Sequence, residues 1–189
     1  AAREKEGTSR SPNIRWKQGS VYDLPFKDNS FDVVHARLLF QHLNDPMAAL
    51  LNINRVLKPG GLVYISDVDK DWSSLYPEPD SSVALDKAII QKQLSQGGDP
   101  WVGRKLGSYL KSSGFAQVET NITLEDSDQL GLASFFEMLS FGGSYQSNHS
   151  KKDELTLLKQ AAELDAHILI NNPCTWAGFA LFVATGYKQ

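Results

Sequence analysis

The stretch that decides the fold is Asp-Pro-Met-Ala-Ala-Leu-Leu-Asn-Ile-Asn-Arg-Val-Leu-Lys-Pro-Gly-Gly-Leu-Val-Tyr-Ile-Ser-Asp, residues 45–67. It opens on Asp-Pro, which is typical of a helix start, because aspartate caps the first turn and proline fits the first helical position. Apolar residues recur near helical spacing up to Leu57, and Lys58-Pro-Gly-Gly ends the helix. The apolar run that begins at Leu62 predicts a buried strand.

Further elements on both sides of this stretch predict an α/β fold. Upstream, Phe31-Asp-Val-Val-His predicts a second buried strand, and the order strand, helix, strand favours a parallel sheet covered by helices. Residues 68–98 are interpreted as an insertion over the sheet edge that ends in a helix. The remaining pattern predicts strands over 14–18, 117–124 and 176–187, and helices over 82–94, 99–112, 129–141 and 151–171.

Composition narrows the class of protein. A chain of 189 residues, 41% hydrophobic and 22% charged, predicts one globular domain. Its formal net charge of −3 argues against a nucleic-acid partner, whose phosphates require a basic surface. The sequence contains neither a membrane-length apolar run nor a secretory signal, and its single cysteine excludes an internal disulfide. We therefore expect a cytoplasmic protein without a membrane span.

Four linked motifs carry a resemblance to a known family. They are Leu24-Pro-Phe, Phe31-Asp-Val-Val, His42-Leu-Asn-Asp-Pro and Arg55-Val-Leu-Lys-Pro-Gly-Gly. In this order and at this spacing they resemble the class I S-adenosylmethionine-dependent methyltransferases. More narrowly, they are similar to the small-molecule group that includes the ubiquinone and menaquinone methyltransferases. The resemblance is close over residues 1–67 and looser beyond.

The resemblance implies a Rossmann-like sheet that is mostly parallel, with an antiparallel C-terminal strand. It also implies one methyltransferase domain over residues 1–189, with lid-like insertions at about 68–98 and 129–150. The family's first two strands, its glycine-rich loop and its ribose-binding acid are not found in the sequence. We therefore expect the domain to be N-terminally incomplete and to use S-adenosylmethionine as cofactor.

The candidate cofactor residues follow two strands, because open parallel sheets bind ligands beyond the carboxyl ends of their strands. Ser20 and Val21 stand where the family holds adenine, while His35, Ala36 and Arg37 stand where it contacts the methionine part. Two alternatives stay open, namely that the loop at Ser20 is an ordinary turn and that His35 is a packed or solvent-facing side chain.

Candidates for the acceptor site are weaker. The resemblance places Gln41 and His42 near the transferred methyl group, where His42 is either a base or a buried histidine bonded to a loop carbonyl. Aromatic side chains in the covering segments indicate a small apolar or aromatic acceptor. These substrate and lid candidates are Trp72, Tyr76, Trp101, Phe136 and Tyr145.

No metal site is expected. Asp67, Asp69, Asp71 and Glu78 have the spacing of a calcium loop, but Trp72 stands where that loop requires glycine. We favour the interpretation that these acidic side chains simply solvate the loop at the carboxyl end of a strand. The alternative function is a non-catalytic or truncated methyltransferase-like protein that acts as a partner subunit or is a fragment, and a homodimer is left open.

Overall fold

A four-stranded sheet forms the centre of the molecule. The computed structural model describes residues 13–139 and 154–189. The strands lie in the order β1-β2-β4-β3. They are β1 (Phe31–Arg37), β2 (Leu57–Tyr76), β3 (Ala116–Asp126) and β4 (Trp176–Tyr187).

The strand directions confirm the predicted sheet. β1 pairs parallel with β2, with His35 opposite Tyr64 and Arg37 opposite Ser66. β4 runs antiparallel to β2 on one side and to β3 on the other. Three strands therefore share one direction and the C-terminal strand opposes them, as the α/β prediction requires.

Two helices pack against the sheet and form the core with it. Leu50 and Ile53 from the first helix and Leu106 and Leu110 from the third pack against strand residues such as Ile65, all nearly inaccessible to solvent. Burial of such side chains removes apolar surface from water and stabilises the layer. The helices are α1 (Pro46–Val56), α2 (Asp80–Ser95), α3 (Leu106–Ser112), α4 (Ser127–Leu130), α5 (Leu132–Leu139) and α6 (Glu154–Ile170). Within the described ranges, no helix is both long enough and apolar enough to cross a membrane.

The stretch over residues 45–67 folds as predicted. The Asp45 carboxylate accepts a hydrogen bond from the Ala48 N–H at 2.9 Å, and Pro46 occupies the first turn of α1. The helix ends at Val56, and Gly60 takes a φ of 76°, a conformation that glycine adopts at low cost. β2 begins at Leu57, so Gly60 lies within this strand, and the parallel pairing places Arg37 at the end of β1 beside Ser66 of β2.

The strand predicted over residues 14–18 is wrong. Residues 13–19 are irregular, and Ile14 and Trp16 are 50% and 79% exposed. Alternating residues form a stable strand only where a neighbouring strand completes their hydrogen bonds. None of the four described strands pairs with this segment.

The middle of the chain differs from the prediction in a second way. Residues 68–76 prolong β2, with Ser73–Tyr76 paired to β4, instead of leaving the sheet as an insertion over its edge. Residues 69–72 form an irregular bulge between the two paired parts of the strand. The predicted helix over 82–94 is confirmed as α2. The predicted helix over 99–112 becomes helical only in its second half, where a 3₁₀ turn over Gly103–Lys105 leads into α3.

Two later helices are confirmed with changed bounds. The aromatic-rich helix predicted over 129–141 is divided into α4 and α5, because Gly131 takes a φ of 77° between them. The long helix predicted over 151–171 is α6. Its Asp165 accepts a hydrogen bond from Ser81 of α2, which joins the two helices.

Candidate functional site

An apolar cleft of about 300 Å³ lies beside the outer edge of β1. One wall is the loop that follows residue 18, another is the strand itself, and Ile53 of α1 contributes to the cleft. The lining residues are Gly19, Val21, Leu24, Val34, His35, Ala36, Leu39 and Ile53. We call this space the β1 cleft.

The β1 cleft follows an open strand edge. Val34, His35 and Ala36 are consecutive, so their side chains alternate between the two faces of the sheet. A cleft that touches all three runs along the backbone of β1, an edge strand of the described sheet. Backbone N–H and C=O groups at such an edge are available to a ligand.

The structure brings together three of the five predicted cofactor residues, because Val21, His35 and Ala36 all line the β1 cleft. Ser20 and Arg37 are exposed and are not among the lining residues. The Ser20 hydroxyl accepts a hydrogen bond from the Tyr22 N–H at 3.2 Å, which tightens the loop. Arg37 is the last residue of β1, one position past the lining residues of the strand.

His35 packs against β2. Its ring meets Tyr64 edge to face with centroids 4.9 Å apart, and its Nε2 atom lies 3.4 Å from the Ser66 hydroxyl oxygen. The side chain therefore contacts the neighbouring strand, as the packed alternative requires.

Asp67, which directly follows the part of β2 that is paired with β1, binds the turn after β1. The side chain is fully buried, and its two oxygens accept hydrogen bonds from the N–H groups of Val68 at 2.9 Å and Gln41 at 3.2 Å. Burial raises the pKa of the Asp67 carboxyl, because desolvation disfavours the charged form. The N–H donors and the charge of His42 act on the pKa in the opposite direction.

The turn that holds Gln41 and His42 is a 3₁₀ helix over Phe40–His42. The Gln41 carbonyl accepts hydrogen bonds from the Gln93 amide at 2.7 Å and from the Asp99 N–H at 2.8 Å. His42 is exposed, so the buried-histidine alternative is wrong. The exposed ring has access to a ligand above the strand ends.

A second cleft, of about 260 Å³, lies at the far end of β2. The distance between this cleft and the end of β1 can be counted along β4. Phe179 lines the cleft, and Val183, four residues later, pairs with the last residue of β2 that is also paired with β1. Four residues at about 3.3 Å each separate the two levels by roughly 13 Å. The lining residues are Asp71, Trp72, Ser73, Ser74, Leu124, Glu125, Asp126, Trp176, Gly178 and Phe179. We call this space the outer cleft.

The five aromatic candidates do not share one site. Trp72 lines the outer cleft and meets Phe182 edge to face at 5.5 Å. Trp101 is half-buried and Tyr76 is 67% exposed, and both lie outside the lining of the two clefts. Phe136 packs against Phe135 in α5 with centroids 6.4 Å apart, and it also lies outside both linings. Tyr145 lies outside the described residues.

The acidic residues of the bulge are held by an arginine. Asp69 is fully buried and receives the Arg104 Nε and Nη2 atoms at 2.6 and 2.5 Å. The same Nη2 lies 2.7 Å from Asp71, whose other oxygen accepts from the Trp101 indole at 2.8 Å. This pairing raises the pKa of Arg104 and lowers the pKa of Asp71. The interpretation of these acids as loop-solvating is therefore wrong for Asp67 and Asp69.

Sequence reasoning missed several residues of the site. Leu24, Leu39 and Ile53 line the β1 cleft, although Leu24 belongs to a recognised motif and Ile53 to the motif helix. The sequence assigned no role to Arg104. Its partner Asp69 is 35 residues away in the sequence, and no pattern of neighbouring residues predicts that pair.

Comparison with known proteins shows a similarity to methyltransferases over part of the chain. Residues 1–65 match a family model described as a methyltransferase domain. The chain is 38% identical over 94 residues to an uncharacterized methyltransferase of Schizosaccharomyces pombe, covering 50% of this chain and 34% of that protein. It is 33% identical over 106 residues to a methyltransferase of Strobilurus tenacellus, and the match covers 54% of this chain and 38% of that protein.

A demethylmenaquinone methyltransferase of Staphylococcus aureus is 44% identical over 59 residues, or 31% of this chain and 24% of that protein. A solved structure, a putative methyltransferase of Bacillus halodurans, covers 90% of this chain and 70% of its own at 16% identity, with a TM-score of 0.49. The matches span only about a third of the first two curated relatives. Residues 1–65 therefore resemble a methyltransferase domain, and the chain is similar to methyltransferases over about half of its length.

Proposed function

We propose that the protein transfers a methyl group from S-adenosylmethionine to a small apolar or aromatic organic acceptor. The observation that carries the proposal is the β1 cleft, where Val21 of the loop over residues 19–26 lies beside His35 and Ala36 near the carboxyl end of β1. Their meeting in one cleft is what a cofactor site at the strand ends requires.

The residues of the β1 cleft fit the adenosyl half of the cofactor. Small-molecule sites measure roughly 300–1,000 Å³, so a cleft of about 300 Å³ suits a nucleoside better than a whole nucleoside–amino acid conjugate. Leu24 and Ile53 offer apolar surface for the faces of adenine, and the Val21 N–H is proposed to meet its edge. The end of the β1 cleft beside the exposed Arg37 is proposed to face the methionine part of the cofactor.

When bound, S-adenosylmethionine supplies a methyl group on a positively charged sulfur. The chain's own contribution is to hold the acceptor in line, because correct alignment supplies much of the acceleration. Gln41 and His42 are proposed to lie beside the acceptor, on a turn that Asp67 and Gln93 hold by hydrogen bonds. His42, which is exposed, is the candidate to accept a proton from an acceptor hydroxyl.

The acceptor is proposed to be apolar or aromatic because of the outer cleft. Its walls include Trp72, Trp176 and Phe179, and such rings bury large flat surfaces. Since the outer cleft begins roughly 13 Å beyond the strand ends, it suits the remote part of an extended acceptor. The S. aureus relative is named for demethylmenaquinone, an acceptor of this kind.

A second candidate is a methyltransferase-like chain that does not catalyse transfer by itself. It is favoured by the open edge of β1 and by the exposed Ile14 and Trp16, which leave one side of the β1 cleft without a wall among the described residues. Such a chain would function as a partner subunit or as part of a larger protein. It would bind the adenosyl group weakly and release no methylated product.

Calorimetric titration with S-adenosylhomocysteine tests the cofactor site. We expect the wild-type protein to bind, and Ser20→Phe and Arg37→Ala each to raise the Kd about tenfold, as expected for the loss of one good contact. Ser112→Phe and Lys111→Ala, on the exposed end of α3, are the matched controls and should leave the Kd unchanged. Equal affinities in all five proteins would refute the residue assignment.

Transfer of labelled methyl from S-adenosylmethionine tests the reaction. The protein is incubated with hydroquinones of increasing side-chain length and, for comparison, with small hydrophilic amines. Label in the hydroquinones, increasing with side-chain length, is the predicted result. Label in the hydrophilic amines alone would contradict the apolar acceptor, and binding of S-adenosylhomocysteine without any transfer would favour the second candidate.

A further inference from the structure

The loop that lines the β1 cleft is held by its backbone carbonyls. Within residues 19–26 the Tyr22 carbonyl accepts from the Asn52 side-chain amide at 2.6 Å. The carbonyls of Leu24 and Phe26 accept from the two terminal nitrogens of Arg55, each at 2.8 Å. Three alternate carbonyls of the loop therefore bind to two side chains of α1.

The two donors occupy one side of a helix that also contributes to the β1 cleft. Asn52 and Arg55 are three positions apart on α1, a spacing that places side chains on the same face. Ile53, between them, is 1% exposed and lines the cleft. One turn of α1 thus presents an apolar surface to the cleft and a pair of donors to the loop beside it.

A second connection joins the loop to the start of α1. The Tyr22 hydroxyl donates to the Asn44 side-chain oxygen at 2.7 Å and accepts from the Asp45 N–H at 3.3 Å. Within the loop, the Asp23 N–H bonds to the Ser20 carbonyl at 3.1 Å, and residues 13–18 before it are not in a strand. The loop therefore takes its position from α1 more than from the chain that precedes it.

We propose that Asn52 and Arg55 are positioning residues that hold the loop over residues 19–26 in the conformation that binds the adenosyl group. This inference rests on the proposed function of the β1 cleft. A planar guanidinium donates in two fixed directions, which suits two carbonyls two residues apart, whereas a lysine ammonium is a single point charge. Because Asn52 and Arg55 bind the loop through its backbone carbonyls, the arrangement leaves the Val21 and Leu24 side chains to line the cleft.

The test compares two ligands in the same variants. S-adenosylhomocysteine and methylthioadenosine share the adenosyl group, but only the first carries the amino-acid part. Arg55→Met and Asn52→Ala are expected to raise the Kd of both ligands by the same factor, about tenfold for Arg55→Met, since hydrogen bonds to a charged group are lost. Arg55→Lys should show an intermediate rise. Asn54→Ala, on the same helix, is the control, with both Kd values within about twofold of wild type.

Amide hydrogen exchange in the free protein supplies a readout that does not depend on ligand. Exchange at residues 19–26 should accelerate in Arg55→Met while exchange in β2 and β4 stays unchanged. Arg37→Ala should weaken S-adenosylhomocysteine alone. If the wild type binds both ligands and Arg55→Met binds them equally well, the positioning role is overturned and the proposed function stands. If the wild type binds neither ligand, both are overturned.

Discussion

Two arginines of this protein each hold an irregular segment beside a cleft, and they do so in different ways. Arg55 holds the loop beside the β1 cleft by binding the carbonyls of Leu24 and Phe26, with an ion pair to Asp28 at 2.8 Å. Arg104 holds the bulge of β2 by binding two carboxylates, of which Asp69 is fully buried. The first segment borders the proposed cofactor site and the second borders the outer cleft.

The difference teaches what each segment depends on. Carbonyl acceptors are present whatever the loop sequence is, and they do not titrate. A buried carboxylate requires its cationic partner, because an unpaired charge in the interior costs far more than an unpaired carbonyl near water. The bulge should therefore be sensitive to the loss of its arginine and to acid, whereas the loop should be sensitive mainly in ligand binding.

The largest expected effect is the loss of the bulge anchor. Arg104→Met leaves the Asp69 carboxylate buried without its guanidinium, and we expect the Tm to fall by roughly 10 °C in a thermal melt. Lys111→Met, an exposed cation seven residues further along the chain in α3, is the control and should change the Tm little. A fall no larger than that of the control would show that Asp69 does not depend on Arg104.

A smaller fall is expected at the cofactor loop. Arg55→Met removes donors from carbonyls that water can reach, so we expect the Tm to fall by about 3–6 °C. The same melts used for Arg104 measure it. A fall as large as that of Arg104→Met would remove the distinction between the two anchors.

The pH dependence of the two variants sharpens the comparison. The pKa of Asp71 is lowered by Arg104, so the stability it contributes is present above its ordinary value of 3.8 and is lost as the pH falls through its folded value. We expect the Tm difference between wild type and Arg104→Met to shrink when the pH is lowered from 7 to below about 4. The difference for Arg55→Met should shrink less, since two of its acceptors are carbonyls, which do not titrate, and only its exposed ion pair with Asp28 involves a carboxylate. Thermal melts of the wild type and both variants at the two pH values test this expectation. An equal change in the two Tm differences would contradict it.

The smallest effect, and one of opposite sign, is expected at Asp67. Burial raises its pKa above the ordinary value of 3.8, so the folded state holds this proton more tightly than the unfolded state does. The Tm of wild type minus that of Asp67→Asn should therefore decrease by a few degrees as the pH rises through the interval above 3.8. Ser66→Ala, the adjacent residue in β2, is the control and should show no such trend. An increase with pH would mean that the N–H donors outweigh burial.

Local sequence signals predicted the parts of the fold that depend on local chemistry. Asp45, Pro46 and the glycines after Lys58 fix the bounds of α1 through capping and backbone conformation. Val21 and His35 are both predicted cofactor residues and do line one cleft, although the strand predicted before Val21 is absent and His35 lies within β1.

The remaining features depend on partners distant in the chain. The segment over residues 14–18 has a strand pattern but is not a strand, since a ladder needs a second strand. β2 continues past Val68 because β4 pairs with it on both sides of the bulge. Asp69 is buried because Arg104, 35 residues later, compensates its charge. None of these contacts has a local spacing that a sequence pattern could reveal.

Amide hydrogen exchange with and without S-adenosylhomocysteine tests the central claim most directly, because it reports which backbone segments the ligand touches. The β1 cleft predicts slower exchange at residues 19–24 and 34–39 on ligand binding, with unchanged exchange at residues 73–76 and 122–126 around the outer cleft. Protection at the outer cleft alone, or binding with no protection beside β1, would contradict the assignment of the cofactor site.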